Sequence, residues 1–200
     1  MRIIVVGATG TIGRPLAAAL AERHEVVRVG NRTGDFQVDV ADKGSIERLF
    51  QEAGTFDALV SLAGGARFKP IGKLTDEDFE FSLSHKLMGQ INLVRAGLAR
   101  VRDGGSFTLT SGVLSQEPIP GSSVITLVNR GLEGFARAAA LEMPRGVRIN
   151  VVSPPWVTET LEELGWDTSP GLPATRVAPA YVECVEGSRN GETLDAREFA

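Results

Sequence analysis

The sequence is poor in the residues that most often announce a site. Its single cysteine, Cys184, excludes an intramolecular disulfide and a cysteine-based metal cluster, and the only two histidines, His24 and His85, have no further ligand at metal-binding spacing. No metal site is expected, and Cys184 reads as a small buried hydrophobe more readily than as a reactive thiol. No apolar run approaches the roughly 18 residues of a membrane span. A formal charge of −4 without any Lys/Arg tract argues against nucleic acid or an acidic membrane as partner. The apolar start Ile3-Ile4-Val5-Val6 reads as a core strand and not as a signal peptide, so a cytoplasmic location is expected. Tyrosine occurs once, at Tyr181, and no lysine follows Lys86.

Glycine, by contrast, is placed with purpose. Gly7, Gly10 and Gly13, in Gly7-Ala8-Thr9-Gly10-Thr11-Ile12-Gly13, join the first strand to a helix over Pro15 to Glu22. Glycines permit a tight turn and close approach to phosphate oxygens, and the helix start offers free N–H groups and a positive dipole end. A second strand, Glu25 to Val29, follows at βαβ length, which favours a dinucleotide over an empty turn.

Short β-branched runs recur at Ala58 to Ser61, Ser106 to Thr110 and Val147 to Val152, separated by helical stretches. That alternation predicts one α/β domain over residues 1–200, a doubly wound parallel sheet between two helix layers. The capping signal Thr75-Asp76-Glu77-Asp78 precedes a long amphipathic helix carrying Leu87, Ile91, Val94 and Leu98, and a second long helix runs from Asn129 to Glu142. Proline, glycine and tryptophan interrupt any period from Pro154 to Pro179, which predicts a loop with at most short helices, whose Trp156, Leu161, Leu164 and Trp166 point to an apolar lid or a packed cover.

Taken in order, the glycine turn, Val60-Ser61-Leu62-Ala63-Gly64-Gly65, the helix Gly131 to Glu142, and Arg148-Ile149-Asn150-Val151-Val152-Ser153-Pro154 resemble the short-chain dehydrogenase/reductase family over almost the whole chain. The resemblance implies a three-layer α/β/α Rossmann fold with a nicotinamide dinucleotide across the carboxyl ends of its strands. It implies that Gly7, Thr9, Gly10, Thr11, Ile12 and Gly13 hold the pyrophosphate, that Asp39 and Val40 meet the adenine, and that Ala63, Gly64 and Gly65 pass under the adenosine ribose. Pro154, Val157 and Thr158 match the segment that meets the carboxamide and pyrophosphate, with Pro155 in place of the usual glycine. The glycine spacing, with Thr11 at the usual later glycine position, is closer to the extended and atypical branches, whereas the compact tail Gly191 to Asp195 resembles the last strand of the short branch.

After the second strand the chain reads Gly30-Asn31-Arg32-Thr33, where an NAD-selective protein places an acidic residue. Arg32 can fork onto a 2′-phosphate, with Asn31 and Thr33 adding hydrogen bonds and Arg14 adding charge, so NADP(H) is favoured over NAD(H).

The family's catalytic Tyr-x-x-x-Lys pair has no counterpart. Alignment on Leu132-Glu133-Gly134-Phe135 puts Ile125 and Asn129 at its two positions, and neither can do that proton chemistry. The helix asparagine of the family aligns with Lys86, and the strand-end serine with Ser111 or Gly112. Ser111 orienting a carbonyl oxygen and Lys86 supplying charge or a proton make a minimal site; their plain alternatives are a strand-end hydroxyl on nearby backbone and a solvated helix lysine. Two functions follow: an NADP(H)-dependent oxidoreductase with a rebuilt site, or a non-catalytic NADP(H)-binding sensor or regulatory partner. Family members commonly pair the two long helices, which implies a homodimer or homotetramer using Leu93, Ala96 and Leu98.

Overall fold

In the computed structural model, which describes residues 1–200, seven parallel strands form one sheet in the order β3-β2-β1-β4-β5-β6-β7. They are β1 (Arg2–Val6), β2 (Glu25–Gly30), β3 (Phe36–Gln37), β4 (Phe56–Ser61), β5 (Val101–Thr110), β6 (Arg148–Ser153) and β7 (Thr193–Asp195). Strand order reverses between β1 and β4, and such a switch point leaves a crevice at the carboxyl ends of the strands.

The helices are α1 (Gly13–Ala21), α2 (Lys43–Ala53), α3 (Asp76–Ser82), α4 (Gly89–Gly97), α5 (Ser123–Ala139), α6 (Thr158–Leu164) and α7 (Ala174–Glu186). Alternation along β1 sorts them into layers. Ile3 and Val5 pack with Leu16 and Leu20 of α1 and with Val177 and Tyr181 of α7, whereas Ile4 and Val6 pack with Leu49 of α2, Leu93 of α4 and Leu132 of α5. A strand buried on both faces must be apolar where it is covered, as β1 is from Ile3 to Val6. Each large side chain taken fully out of water contributes about 1.5–3 kcal/mol before entropy is set against it.

The capping signal at Thr75 is a complete capping box with Asp78, and the helix it opens continues through a π-helical segment, Leu83–Met88, into α4. The extra residue per turn in such a segment is frequent at functional sites.

Two expectations need correction and a third is narrowed. The stretch Pro154 to Pro179 is not a loop with short helices at most: α7 starts at Ala174 and passes through Pro179. Pro179, sixth in the helix and exposed, cannot donate to the Thr175 carbonyl, and the helix is held across it by the burial of Val177, Ala178, Tyr181, Cys184 and Val185 on the opposite face. Leu161, at 2% exposure, is packed into the interior, which fits a packed cover and not an apolar lid. Leu93 is completely buried under the sheet and offers nothing to a partner; the exposed apolar residues of this helix pair are Met88 and Leu127. No helix is long and apolar enough to cross a membrane.

Candidate functional site

The chain turns out of β1 at Gly7, whose φ of +89° suits glycine, and the N–H groups of Gly7 and Ala8 donate to the Val29 carbonyl of β2. Gly10 donates to the Gly7 carbonyl and Arg14 to the Gly10 carbonyl, so α1 begins directly over the strand end. Gly13 makes this approach possible: a Cβ there would lie 2.0 Å from the Gly7 carbonyl oxygen. The N–H groups of Thr9, Thr11 and Ile12 find no protein acceptor. Orphan donors at a helix N-terminus are what an anionic phosphate needs.

A cavity of about 400 Å³ opens beside this turn. Its wall brings together Gly7, Thr9, Gly10, Asn31, Asp39, Val40, Ala63, Gly64 and Gly65, which all figure among the cofactor residues expected from the sequence. Thr11, Ile12 and Gly13 are not part of that wall; they lie at the helix start, where Ile12 packs into the α1/α7 core and Gly13 is buried. Arg32 and Thr33 follow Asn31 on the exposed turn beyond β2, outside the cavity wall, and the Arg32 guanidinium has no carboxylate partner. Asp39 uses one carboxylate oxygen to accept from the Ala41 N–H, and Val40 is buried against Gly89 of α4. Pro154, Val157 and Thr158 lie beyond β6, outside this cavity. There the Pro154 carbonyl accepts from Val113, and Val157 pairs with Leu172.

Ser111 and Lys86 do meet, but not as two side chains in a cleft. The Lys86 Nζ donates to the Ser111 carbonyl at 3.0 Å, while the Ser111 hydroxyl, on a residue 2% exposed, turns toward the Val152 carbonyl at 3.5 Å. The N–H of Ser111 donates to the same Val152 carbonyl at 2.9 Å, so hydroxyl and backbone of this residue are both directed at the end of β6. Lys86 is partly buried as a residue, and its amine, enclosed at the end of β5 with no carboxylate partner, is pulled down by desolvation from 10.5 to about 8. Gln90, one turn on, clamps the same strand end, accepting from the Thr110 N–H and donating to the Thr110 carbonyl.

Asn129, at the position expected for the family's lysine, is 1% exposed and donates to the Gly112 carbonyl at 3.2 Å, leaving its Oδ1 without a protein partner. Tyr181 lies on the far side of the sheet from α5. It is fully buried, its hydroxyl 3.0 Å from Thr110 Oγ1, and desolvation raises its pKa. It cannot present a phenol to the cleft. Of the residues expected as a lid or cover, Trp156 and Trp166 do meet, edge to face at 5.6 Å, with Phe68 against both.

His85 was not among the expected site residues, yet it lines the cavity. Its signal was its place in Phe81-Ser82-Leu83-Ser84-His85, which sets two rings one turn apart on a helix.

The family model described as enoyl-(acyl carrier protein) reductase, one of the short-chain dehydrogenase models, matches residues 6–175. The protein lin1944 from Listeria innocua is 38% identical, superposes with a TM-score of 0.94, and the match covers 98% of each chain. The hydroxynaphthalene reductase-like protein Arp2 of Metarhizium brunneum is 26% identical over 87% of this chain and 76% of its own. A small-chain dehydrogenase solved in complex with NADPH shares the fold at a TM-score of 0.85 and 24% identity, over 98% of this chain and 95% of its own. Strand order, glycine turn and family match together make this chain a member of the short-chain dehydrogenase/reductase family.

Proposed function

We propose that the chain is an NADP(H)-dependent oxidoreductase acting on a carbonyl/alcohol pair, with Lys86 as its proton-bearing group in place of a tyrosine–lysine pair. The observation that carries this reading is the position of Lys86: an amine brought to about 8 by burial, tethered by 3.0 Å to the carbonyl that ends β5. A group that titrates near the working pH is well matched to proton transfer. Ile125 and Asn129 carry no proton for that chemistry, and Tyr181 is on the wrong face.

The glycine turn fits a dinucleotide: a close-packed Gly7–Gly13 cradle, free N–H groups at the start of α1, and a cavity walled by the expected adenosine-side residues. Bound there, the nicotinamide would supply or accept the hydride. The protein's share is to hold the phosphates on the N–H groups of Thr9, Thr11 and Ile12, to seat the base beside Asp39 and Val40, and to keep a proton at Lys86 Nζ. The free guanidinium of Arg32, at the turn where the adenosine ribose would lie, supports the phosphorylated form.

Titration with NADPH and NADH, followed by nicotinamide fluorescence, tests the reading. Tight NADPH and weak NADH binding are expected, and Arg32→Ala should weaken NADPH much more than NADH; equal losses for both would remove the 2′-phosphate role. Lys86→Met should lower carbonyl reduction by roughly 10²–10⁴-fold without losing NADPH. Tight binding with no turnover of any carbonyl would move the assignment to a non-catalytic NADP(H) sensor. Self-association through α4 and α5 is part of the proposal, resting on the exposure of Met88 and Leu127, and sedimentation as a monomer at micromolar concentration would remove it.

A further inference from the structure

We propose that His85 reads the adenine base, its Nε2 accepting a hydrogen bond from the exocyclic 6-amino group; the inference rests on the dinucleotide reading above. Two sides of the imidazole are already spoken for. Nδ1 lies 3.0 Å from the Phe81 carbonyl, which can only accept, and 3.1 Å from the Ser84 hydroxyl, whose own hydrogen goes to that same carbonyl at 3.2 Å. Nδ1 therefore carries the hydrogen of the neutral ring, and Nε2 is left as an acceptor. No protein atom donates to it.

The ring is also held in plane. It stacks on Phe81 with centroids 4.2 Å apart and planes 28° from parallel, while the Arg67 guanidinium carbon lies 3.8 Å from the same Phe81 centroid. Two groups at those distances cannot share one face, so Phe81 is sandwiched between guanidinium and imidazole. Arg67 is in turn held by Asp78, the capping-box residue of α3, at 3.7 Å. A preorganised acceptor of this kind discriminates more sharply than a mobile one.

The location selects the base and not the phosphates. Gly89, one turn after His85, packs its Cα against Val40, where an added Cβ would lie 3.1 Å from the valine side chain. Gly64, with φ +120°, passes so close to the helix that a Cβ would be 2.9 Å from the His85 carbonyl and 2.8 Å from the Lys86 Cα. His85 thus stands in the cavity with Val38, Asp39 and Val40 on one side and Gly64 and Gly65 on the other. A neutral acceptor welcomes the amino group of adenine and opposes the carbonyl oxygen that hypoxanthine puts at the same position.

The test compares Kd for NADPH with Kd for its hypoxanthine analogue in the native chain and in two variants. The native protein should prefer NADPH by about tenfold, the cost of an unsatisfied acceptor pair facing a lost hydrogen bond. His85→Phe keeps a ring on Phe81 but has no acceptor, so the preference should fall several-fold. Asp39→Ala should retain part of the preference, carried by His85. Because each ratio is measured within one protein, a partly unfolded sample does not alter it. An unchanged ratio in His85→Phe, or no preference left in Asp39→Ala, overturns the proposal while leaving dinucleotide binding intact. Failure of the native protein to bind either nucleotide overturns the dinucleotide reading itself and this inference with it.

Discussion

Replacing Lys86 by methionine should change how stability depends on pH, in a direction fixed by the burial of the amine. Below about pH 8 Lys86 is charged in both the folded and the unfolded chain, and the folded protein bears the cost of keeping an ammonium away from water. Between about 8 and 10.5 the folded protein has released that proton while the unfolded chain still holds it. The unfolded state then binds more protons, so stability must rise with pH across this window. The slope is about 1.4 kcal/mol per pH unit, and the whole window is worth on the order of 3 kcal/mol. Methionine fills nearly the same volume without charge, so it removes this contribution. Urea denaturation of both proteins at pH 7, 8, 9 and 10 gives the difference directly, and other titrating groups cancel in it. The native protein should gain on Lys86→Met from pH 8 upward. Between pH 7 and 8 the difference should be nearly constant. A difference that stays flat to pH 10 would mean that Lys86 is hydrated and keeps its ordinary pKa, and the case for it as the proton-bearing group would fail. The same constant should govern catalysis: as a proton donor Lys86 must be protonated, so carbonyl reduction should fall as pH rises through about 8.

Tyr181→Phe should cost about 1 kcal/mol, the value of one buried hydrogen bond to Thr110, and leave turnover unchanged; a hundredfold loss of activity in that variant would restore a tyrosine mechanism. Gly13→Ala forces a Cβ onto the Gly7 carbonyl, so the turn must open. A loss of roughly 1–3 kcal/mol in thermal or urea denaturation is expected, together with loss of NADPH binding; retention of both would show that the turn has slack.

The parts of this molecule that could be read from its residues are those fixed by backbone geometry close in sequence. Gly7, Gly10 and Gly13 sit within one strand-to-helix turn, so their spacing alone brings the N–H groups to the strand end. Thr75 and Asp78 cap α3 within a single turn for the same reason. Helix α7 was just as local: Ala174, Val177, Ala178, Tyr181, Cys184 and Val185 repeat at helical spacing, but Pro179 and the glycines and prolines before it hid a period that the buried face enforces. The placement of Lys86 and Ser111 depends instead on distances between segments. Whether Ser111 or Gly112 takes the strand-end position is a choice between adjacent residues, which leave opposite faces of an extended chain, and spacing along the sequence does not decide it. Lys86 reads as an exposed helix lysine until the helix is laid over the end of β5, where burial changes its proton affinity and so its chemistry. His85 joins the site by the same route, because Gly64 and Gly89 let a loop and a strand end close onto one turn of helix. The π-helical segment Leu83–Met88 contains both residues, so one irregular turn brings His85 to the cavity wall and the Lys86 amine to the end of β5. An extra residue in that turn re-aims every side chain after it. That irregularity leaves no mark in hydrophobic periodicity, and it explains why the fold could be read from the chain while the arrangement of its proton-bearing residues could not.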